Sequence, residues 1–506
     1  MPDNVVLTTN SANAAQAKQS FPPTEQDRQR LEDYSYFEKL FFGQHFEAFR
    51  MRVSSDEYNK AYSQLRYVMV NFAGLTSKVI ADMLFSEPIT VRVPDGDQEF
   101  VEALIKENSL HIQWYESALE NSYFGDALFK ERTGRRHRND KEDTVIIEGV
   151  TPRIYFPKID SFNVRAMPDQ QVLAWLFRKG ENQYLRQEIH EPGKIINKVF
   201  LFKDNEIGME MPLDILGIEG LMPEVETKVE RSLLQHIPNW KVGSRWNGIS
   251  DYFDLDTIFF AINNRMTKND NVLDKHTDPI LMVPPGVLDE NGRPIKRDGR
   301  VIEMQSSEDG KPEYIVWDAS LENAFKQIEK LVEFFYLIAE ISPDMLGMGE
   351  GANESGRALK LKLLRTIAKA ARKKLYYDKG IKESLYTAQL LAKAHGLKVG
   401  GLTLSKEPVM PEIDWADGLP IDEHEQIETE TLAIDAGITT VEQSIQRVYK
   451  VDEETAKKTA KEVKDAKAIA MPTMGLGGNT AVDKNGKPIQ KPVQKPATPP
   501  TKPPVK

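Results

Sequence analysis

Two helix-patterned stretches enclosing a short β-rich insert constrain this chain more than any other feature. From Ile249 to about Lys275, residues Tyr252, Leu255, Ile258, Phe259, Ile262 and Met266 recur on one face of a helix. At 1.5 Å per residue that helix would be roughly 40 Å long. Its last third, Thr267-Lys268-Asn269-Asp270-Asn271, is almost wholly polar, so the helix should start packed and end solvated. A second helix returns from Leu321, with Phe325, Ile328, Val332, Phe335 and Ile338 on one stripe. Between them, Ile280 to Val283 reads as a strand, and Val301-Ile302 and Tyr314 to Trp317 read as further strands. Asn291-Gly292 and Asp298-Gly299 are hairpin signals. The pattern is that of a stalk carrying a small head.

The rest of the chain is organised around this stalk. Its 506 residues exceed an ordinary single domain, so two or more packing units are expected. Residues 1–23, closing on Pro22-Pro23, and 471–506 read as disordered tails. The latter holds eight prolines, six lysines, one acid and no aromatic. Thr24 to Phe42 and Ser63 to Phe85 carry helical spacing, and Pro88 stops the second. A strand from Ile89 to Val93 and two further helices end at Gly125, and 127–208 turns to short β-rich runs. A polar, irregular stretch then leads to Trp240 and Trp246. After Ser342-Pro343 comes Gly347-Met-Gly-Glu-Gly-Ala-Asn-Glu-Ser-Gly356, then one long helix from Arg357 to His395 with Gly396 as its C-cap. Thr439 with Glu442 has the spacing of a capping box, and Asp452 caps a helix ending near Ala470.

Several function classes are excluded by what the sequence lacks. With no cysteine there is no disulfide, iron–sulfur cluster, thiolate zinc site or cysteine nucleophile. The eight histidines are scattered without an HExxH pair, and no GxSxG occurs, so no catalytic residue, metal ligand or cofactor is assigned. The glycine-rich stretch at 347–356 follows a helix and has no Lys-Ser/Thr at the next helix start, so it is read as a mobile loop. A net charge of −11 argues against a surface that neutralises nucleic acid throughout. Residues 357–382 nonetheless carry ten Lys or Arg against the single acid Asp378. That face could touch DNA directly. The preferred reading is that it meets acidic segments of this or a neighbouring chain, such as 412–430. No signal peptide or membrane-length apolar run is apparent.

The order of parts resembles the portal proteins of tailed bacteriophages, over roughly 60–470. Four segments carry the resemblance: Asn71 to Pro88; Asn247-Gly-Ile-Ser-Asp-Tyr-Phe-Asp-Leu255; Ile341-Ser-Pro-Asp-Met345 with the glycine loop and Ser355-Gly-Arg-Ala-Leu-Lys360; and Ala436-Gly-Ile-Thr-Thr-Val-Glu442. The resemblance implies an α+β, mainly helical portal-type fold. Its parts would be a wing over 24–248, a stem helix over 249–277, a clip over 278–318 and a second stem helix over 319–341. A tunnel loop would follow over 342–356, a long helix returning to the wing over 357–419 and a helical crown over 420–470.

The resemblance also implies a homo-oligomeric ring of about twelve subunits at one capsid vertex, with double-stranded DNA in its channel. The loop facing DNA would be Met345, Leu346, Gly347, Met348, Gly349, Glu350, Gly351, Ala352, Asn353 and Glu354. The clip would dock partners through Asp289, Glu290, Asn291, Gly292, Arg293, Lys296, Arg297 and Asp298. Those partners would be the terminase motor, head–tail adaptor, scaffold and major capsid protein. The ring would be assembled in the host bacterial cytoplasm, reside in the virion, and have no membrane partner. Two rivals remain open at this point. One is a hydrolase or transferase with an inserted β subdomain. The other is a nucleic-acid-binding factor using 357–382.

Overall fold

The computed structural model describes residues 19–53, 56, 58, 60, 66–137, 139–160, 163, 168–218, 220–243, 245–277, 280–283, 301–303, 313–315, 321–348, 356–415, 423–449, 451 and 453–470. Both expected tails lie outside these residues except for 19–23. The chain divides into two units, 1–419 and 420–506.

The first unit opens with β1 (Gln19–Ser20), α1 (Glu25–Phe41), α2 (His45–Arg52) and α3 (Phe72–Phe85). Thr24 starts α1 by accepting the Asp27 N–H on its hydroxyl. The single helix expected over 63–85 begins only at Phe72. Asn71 caps it by accepting the Gly74 N–H at 2.8 Å, and residues 66–71 are not helical. Next come β2 (Thr90–Arg92), α4 (Gln98–Glu107) and α5 (Leu110–Phe124), which ends at Gly125 with φ +88°.

The β-rich part holds β3 (Asp126–Gly134), β4 (Thr144–Val150), β5 (Tyr155–Pro157), β6 (Gln171–Lys179), β7 (Asn182–Glu191), β8 (Lys194–Lys203) and β9 (Glu206–Met211). It continues past 208 into β10 (Glu224–Glu226) and β11 (Leu234–Pro238), where a polar, irregular stretch was expected. The larger sheet runs β1-β9-β8-β7-β6-β5, and β10 shares the β8 edge with β9. The smaller sheet runs β11-β3-β4.

The stalk follows as α6 (Asp256–Thr277), β12 (Ile280–Val283), β13 (Val301–Glu303), β14 (Glu313–Ile315) and α7 (Leu321–Ala339). β12 pairs parallel with β13 and antiparallel with β14, so the insert is a small mixed sheet. Residues 251–255 are turns, and 249–250 are irregular, rather than the start of the helix. Then come α8 (Gly356–Lys362), α9 (Leu364–His395), β15 (Lys398–Val399), β16 (Leu402–Thr403) and β17 (Glu412–Asp414), the last pairing with β2. The long helix is thus two, although Leu363 N–H to Leu359 O and Ile367 N–H to Leu363 O carry the helical pitch across the join. Gly396 ends α9 at φ +61°.

Two large apolar cores sit in this unit, beside two smaller ones in the β-rich part. One gathers Phe100, Leu104, Trp114, Phe129, Ile237, Tyr377, Ile381, Leu385 and Leu391 from α4, α5, the smaller sheet and α9. The other gathers Tyr34, Phe37, Leu40, Phe49, Tyr252, Phe259, Ile262 and Phe335 from α1, α2 and the stalk helices. The expected stalk stripes hold in part. Tyr252, Leu255, Phe259 and Ile262 are buried on the first, but only Ile328 and Phe335 are buried on the second, where Phe325 and Ile338 face solvent.

The polar third of α6 is a correction. Thr267 and Asn269 are buried, as is Asn263 one turn before them. Thr267 Oγ1 accepts the Val68 N–H at 3.0 Å, and Asn263 Oδ1 accepts the Val70 N–H at 2.8 Å. The polar side chains replace sheet partners for a non-helical segment, satisfying its backbone groups.

The second unit contains α10 (Glu423–Asp435), α11 (Val441–Tyr449) and α12 (Glu453–Ala470). Its capping box lies one residue later than expected. The Gln443 N–H donates to Thr440 Oγ1 at 3.2 Å, and the Thr440 N–H returns to Gln443 Oε1 at 3.4 Å. Ser444 Oγ and Arg447 both donate to Glu430, tying α11 to α10. Asp452 lies outside the described residues.

Candidate functional site

The motif Asn247 to Leu255 makes a backbone weld before the first stalk helix. A Cβ on Gly248 would lie 1.9 Å from Gly125 O, so only glycine allows the two chain segments to cross there. The Gly248 N–H donates to Asp126 Oδ1 at 2.8 Å, and the Asp251 N–H donates to Ser122 O at 2.9 Å. Asp251 is then aimed at α9.

There it meets two of the basic residues that raised the question of DNA contact. Lys373 lies 2.7 Å from Asp251 Oδ2 and Lys369 lies 3.3 Å from Oδ1. Ser122 Oγ adds a hydrogen bond at 2.7 Å. Burial pushes the Asp251 carboxyl up, but the two ammonium groups and the Ser122 bond outweigh it and hold it below the usual carboxylate range. Burial pulls the Lys373 ammonium down to about 8, against the attraction of Asp251. Lys369 also donates to Ala339 O at 2.9 Å, so it grips the end of α7 as well.

Four further cations of this helix pair are engaged too. Arg372 and Arg365 both reach Glu340, the latter at 3.5 Å, and Lys362 reaches Asp344 at 3.2 Å. Lys382 pairs with Asp378 at 2.8 Å. Acidic partners in this or a neighbouring chain were expected, with 412–430 as the example. Those found are Asp251, Glu340, Asp344 and Asp378, each within unit 1–419. From 412–415 the helix receives Trp415, whose indole N–H donates to Asp378 and whose ring lies under Lys374.

This pairing anchors the candidate loop. Thr366 Oγ1 donates to Glu340 O at 2.9 Å and accepts the Ser342 N–H at 3.0 Å. Ser342 caps a 3₁₀ turn over Pro343–Leu346, and Gly347 leaves that turn at φ +69°. Met345 and Leu346 are half-buried against the stalk core. Met348 is 61% exposed, with its sulfur 3.1 Å from the Tyr336 hydroxyl. Of the ten expected loop residues, these four are described. Gly349, Glu350, Gly351, Ala352, Asn353 and Glu354 lie outside the described residues, as do all eight expected clip residues from Asp289 to Asp298. Sequence reasoning missed Tyr336, Glu340 and Thr366. Tyr336 and Glu340 had only their proximity to Ile341-Ser342-Pro343, and Thr366 had no signal at all.

A groove of about 880 Å³ in the β-rich region is lined by Lys228, Arg231, Tyr386 and Lys393 among others. Arg231 and Lys393 are engaged there by Glu383 and Glu407. Among the described residues no cluster of three His, Asp or Glu is placed to hold a metal ion, and no helix is long and apolar enough to cross a membrane.

A model of the phage portal protein family, SPP1 Gp6-like, matches residues 25–468. The chain belongs to the phage portal protein family. The match begins on the first residue of α1 and stops two residues before the end of α12. It therefore takes in α1 and α2, which the resemblance starting near residue 60 left out. The portal family is one of structural, non-enzymatic proteins, and membership implies an oligomeric ring with capsid and DNA in the phage particle. A search of curated proteins returned no match.

Proposed function

We propose that this portal-family chain is the repeating subunit of a ring of about twelve copies at a single capsid vertex, conducting double-stranded DNA inward during packaging and outward on ejection. The observation that carries the reading is the family match over 25–468. In this reading 24–248 is the wing, α6 and α7 are the stem, 278–318 is the clip and 420–470 is the crown. Residues 345–354 face the DNA. Residues Asp289 to Asp298 dock the terminase motor and later the head–tail adaptor, while scaffold and major capsid protein surround the ring. Assembly takes place in the host bacterial cytoplasm. Force comes from the separate motor, because a conduit needs no catalysis of its own.

The electrostatics support a conduit rather than a clamp. Strong Lys or Arg pairing with phosphates would trap a strand that must slide. Next to the loop, Lys362, Arg365, Lys369, Arg372 and Lys373 are held by carboxylates of their own chain. Among the described residues, what the loop offers beyond its 3₁₀ turn is a left-handed glycine and an exposed thioether.

Negative-stain microscopy of the purified chain, with a light-scattering mass beside it, tests the reading. The expected result is a ring with a central hole and a mass of roughly 0.7 MDa for about twelve chains. A small particle at every concentration, even with scaffold and capsid protein added, overturns it.

A further inference from the structure

Leu361, Leu364, Ala368, Ala371 and Leu375 recur at alternating three- and four-residue spacings along α8 and α9, and all five are exposed. The leucines have 66%, 58% and 73% of their surface open. The opposite face of the same helix, through Thr366, Ala370, Lys373 and Tyr377, is buried. This is the a/d spacing of a helix that packs against another helix along a seam, about 21 Å long at 1.5 Å per residue. Arg365, Arg372 and Lys379 run along one side of it.

A second exposed apolar face lies on α7, made by Phe334, Leu337 and Ile338, with Lys330 one turn before them held by Glu333. Glu322, Glu329, Glu333 and Glu340 recur along one side of that helix. The two faces belong to one rigid corner, because Glu340 at the end of α7 is bound to Arg365 and Arg372.

We infer that the α8–α9 seam of one copy receives the α7 face of the next copy. Three observations select this occupant. Arg365, Arg372, Glu322, Glu333 and Glu340 are already matched within the chain, but Lys360 and Lys379 beside the seam and Glu329 beside the α7 face are outside those pairs, so the two faces complement each other in charge. Seam-to-seam pairing would instead bring two sets of Lys360 and Lys379 together. It would also be isologous and close at two copies, whereas two different patches per copy generate a ring. The inference rests on the ring reading above and adds which helices make the contact.

The chain contains no cysteine, so introduced thiols report cleanly. Leu337→Cys is combined in turn with Leu364→Cys, Ala368→Cys and Ala371→Cys in the full chain, followed by mild oxidation and a non-reducing gel. A disulfide needs Cα atoms within about 7 Å. At least one pair is expected to give a ladder of covalent multimers. A control pairing Leu337→Cys with Ile112→Cys should stay at one chain. In parallel, Leu364→Glu with Leu375→Glu should lower the ring fraction at least tenfold while the circular-dichroism melt is unchanged. Rings without a ladder from any pair, or rings undiminished by the glutamates, overturn the inference and leave the ring reading intact. Complete cross-linking by Ala368→Cys alone overturns it in favour of seam-to-seam dimers. A wild-type chain that never assembles overturns both.

Discussion

The two halves of α9 bury opposite kinds of side chain. Its rear half, from Tyr377 to Ala392, sinks Tyr377, Ile381, Leu385, Ala388 and Leu391 into the core shared with α4, α5 and the smaller sheet. Its front half buries Lys369 and Lys373 and turns Leu375, with Leu361 and Leu364 before it, to solvent. The buried ammonium groups are matched by Asp251 of the same chain, whereas the leucines of the front half stay open to solvent.

The sharpest way to break this contrast is to remove the acid that makes the front half tolerable. Asp251→Ala leaves two ammonium groups facing a pocket without a counter-charge, and should cost about 3–5 kcal/mol in denaturant unfolding. A loss below 1 kcal/mol would mean that water already reaches Lys369 and Lys373. In the rear half, Leu385→Ala removes a fully buried side chain, and a loss of about 2–5 kcal/mol is expected from the same measurement.

Titration distinguishes the halves by sign. Asp251, facing the front half, has its carboxyl held below its unfolded value, so its stabilisation is present above about pH 4 and is lost as pH falls. Glu131 faces the rear half, where Ser384 Oγ donates to it. Burial pushes its carboxyl up to about 8, against the Ser384 and Gln235 hydrogen bonds. Its contribution is therefore full below about pH 4.5 and declines as pH rises through 8. Glu131→Gln should flatten the thermal-stability profile between pH 5 and 8, and gain on the order of 2 kcal/mol at pH 8. An unchanged slope would show that Glu131 ionises without penalty. The smallest effect belongs to Leu375→Ala, which should alter unfolding of the isolated chain by no more than about 0.5 kcal/mol. A larger loss would mean that Leu375 packs within its own chain.

The contrast also explains what could be read from the sequence. Apolar periodicity announced Tyr252, Leu255, Phe259 and Ile262, and punctuation announced the ends at Pro88 and Gly396, because these signals are local. The mixed α+β organisation and the helix–insert–helix order followed from the same patterns. Residues 66–71 carry a helical pattern. Their extended path became visible only with Asn263 and Thr267, nearly two hundred residues away, supplying its hydrogen bonds. That the basic helix meets acids of its own chain was legible, but which acids was not, since Asp251 and Glu340 meet Lys373 and Arg372 only after the stalk has folded out and back. In the candidate loop, Gly347 and Met348 stood out by composition. Tyr336 and Thr366, which hold the described part of that loop, carry no motif of their own.

Thr366, Lys369, Arg372 and Lys373 occupy two turns of one helix, and between them they hold residues on both sides of the stalk: Asp251 before α6, Ala339 at the end of α7, and Glu340 and Ser342 after it. In mechanical terms the eighty-odd residues between are a closed loop pinned at a single bracket. A pull on either stalk helix is delivered to the same short segment of α9, within a turn of where Lys362 and Thr366 fasten the 3₁₀ turn at 343–346. The side chains that hold that turn, Lys362 and Thr366, and those that hold the stalk's two ends, Lys369, Arg372 and Lys373, thus share three turns of one helical run.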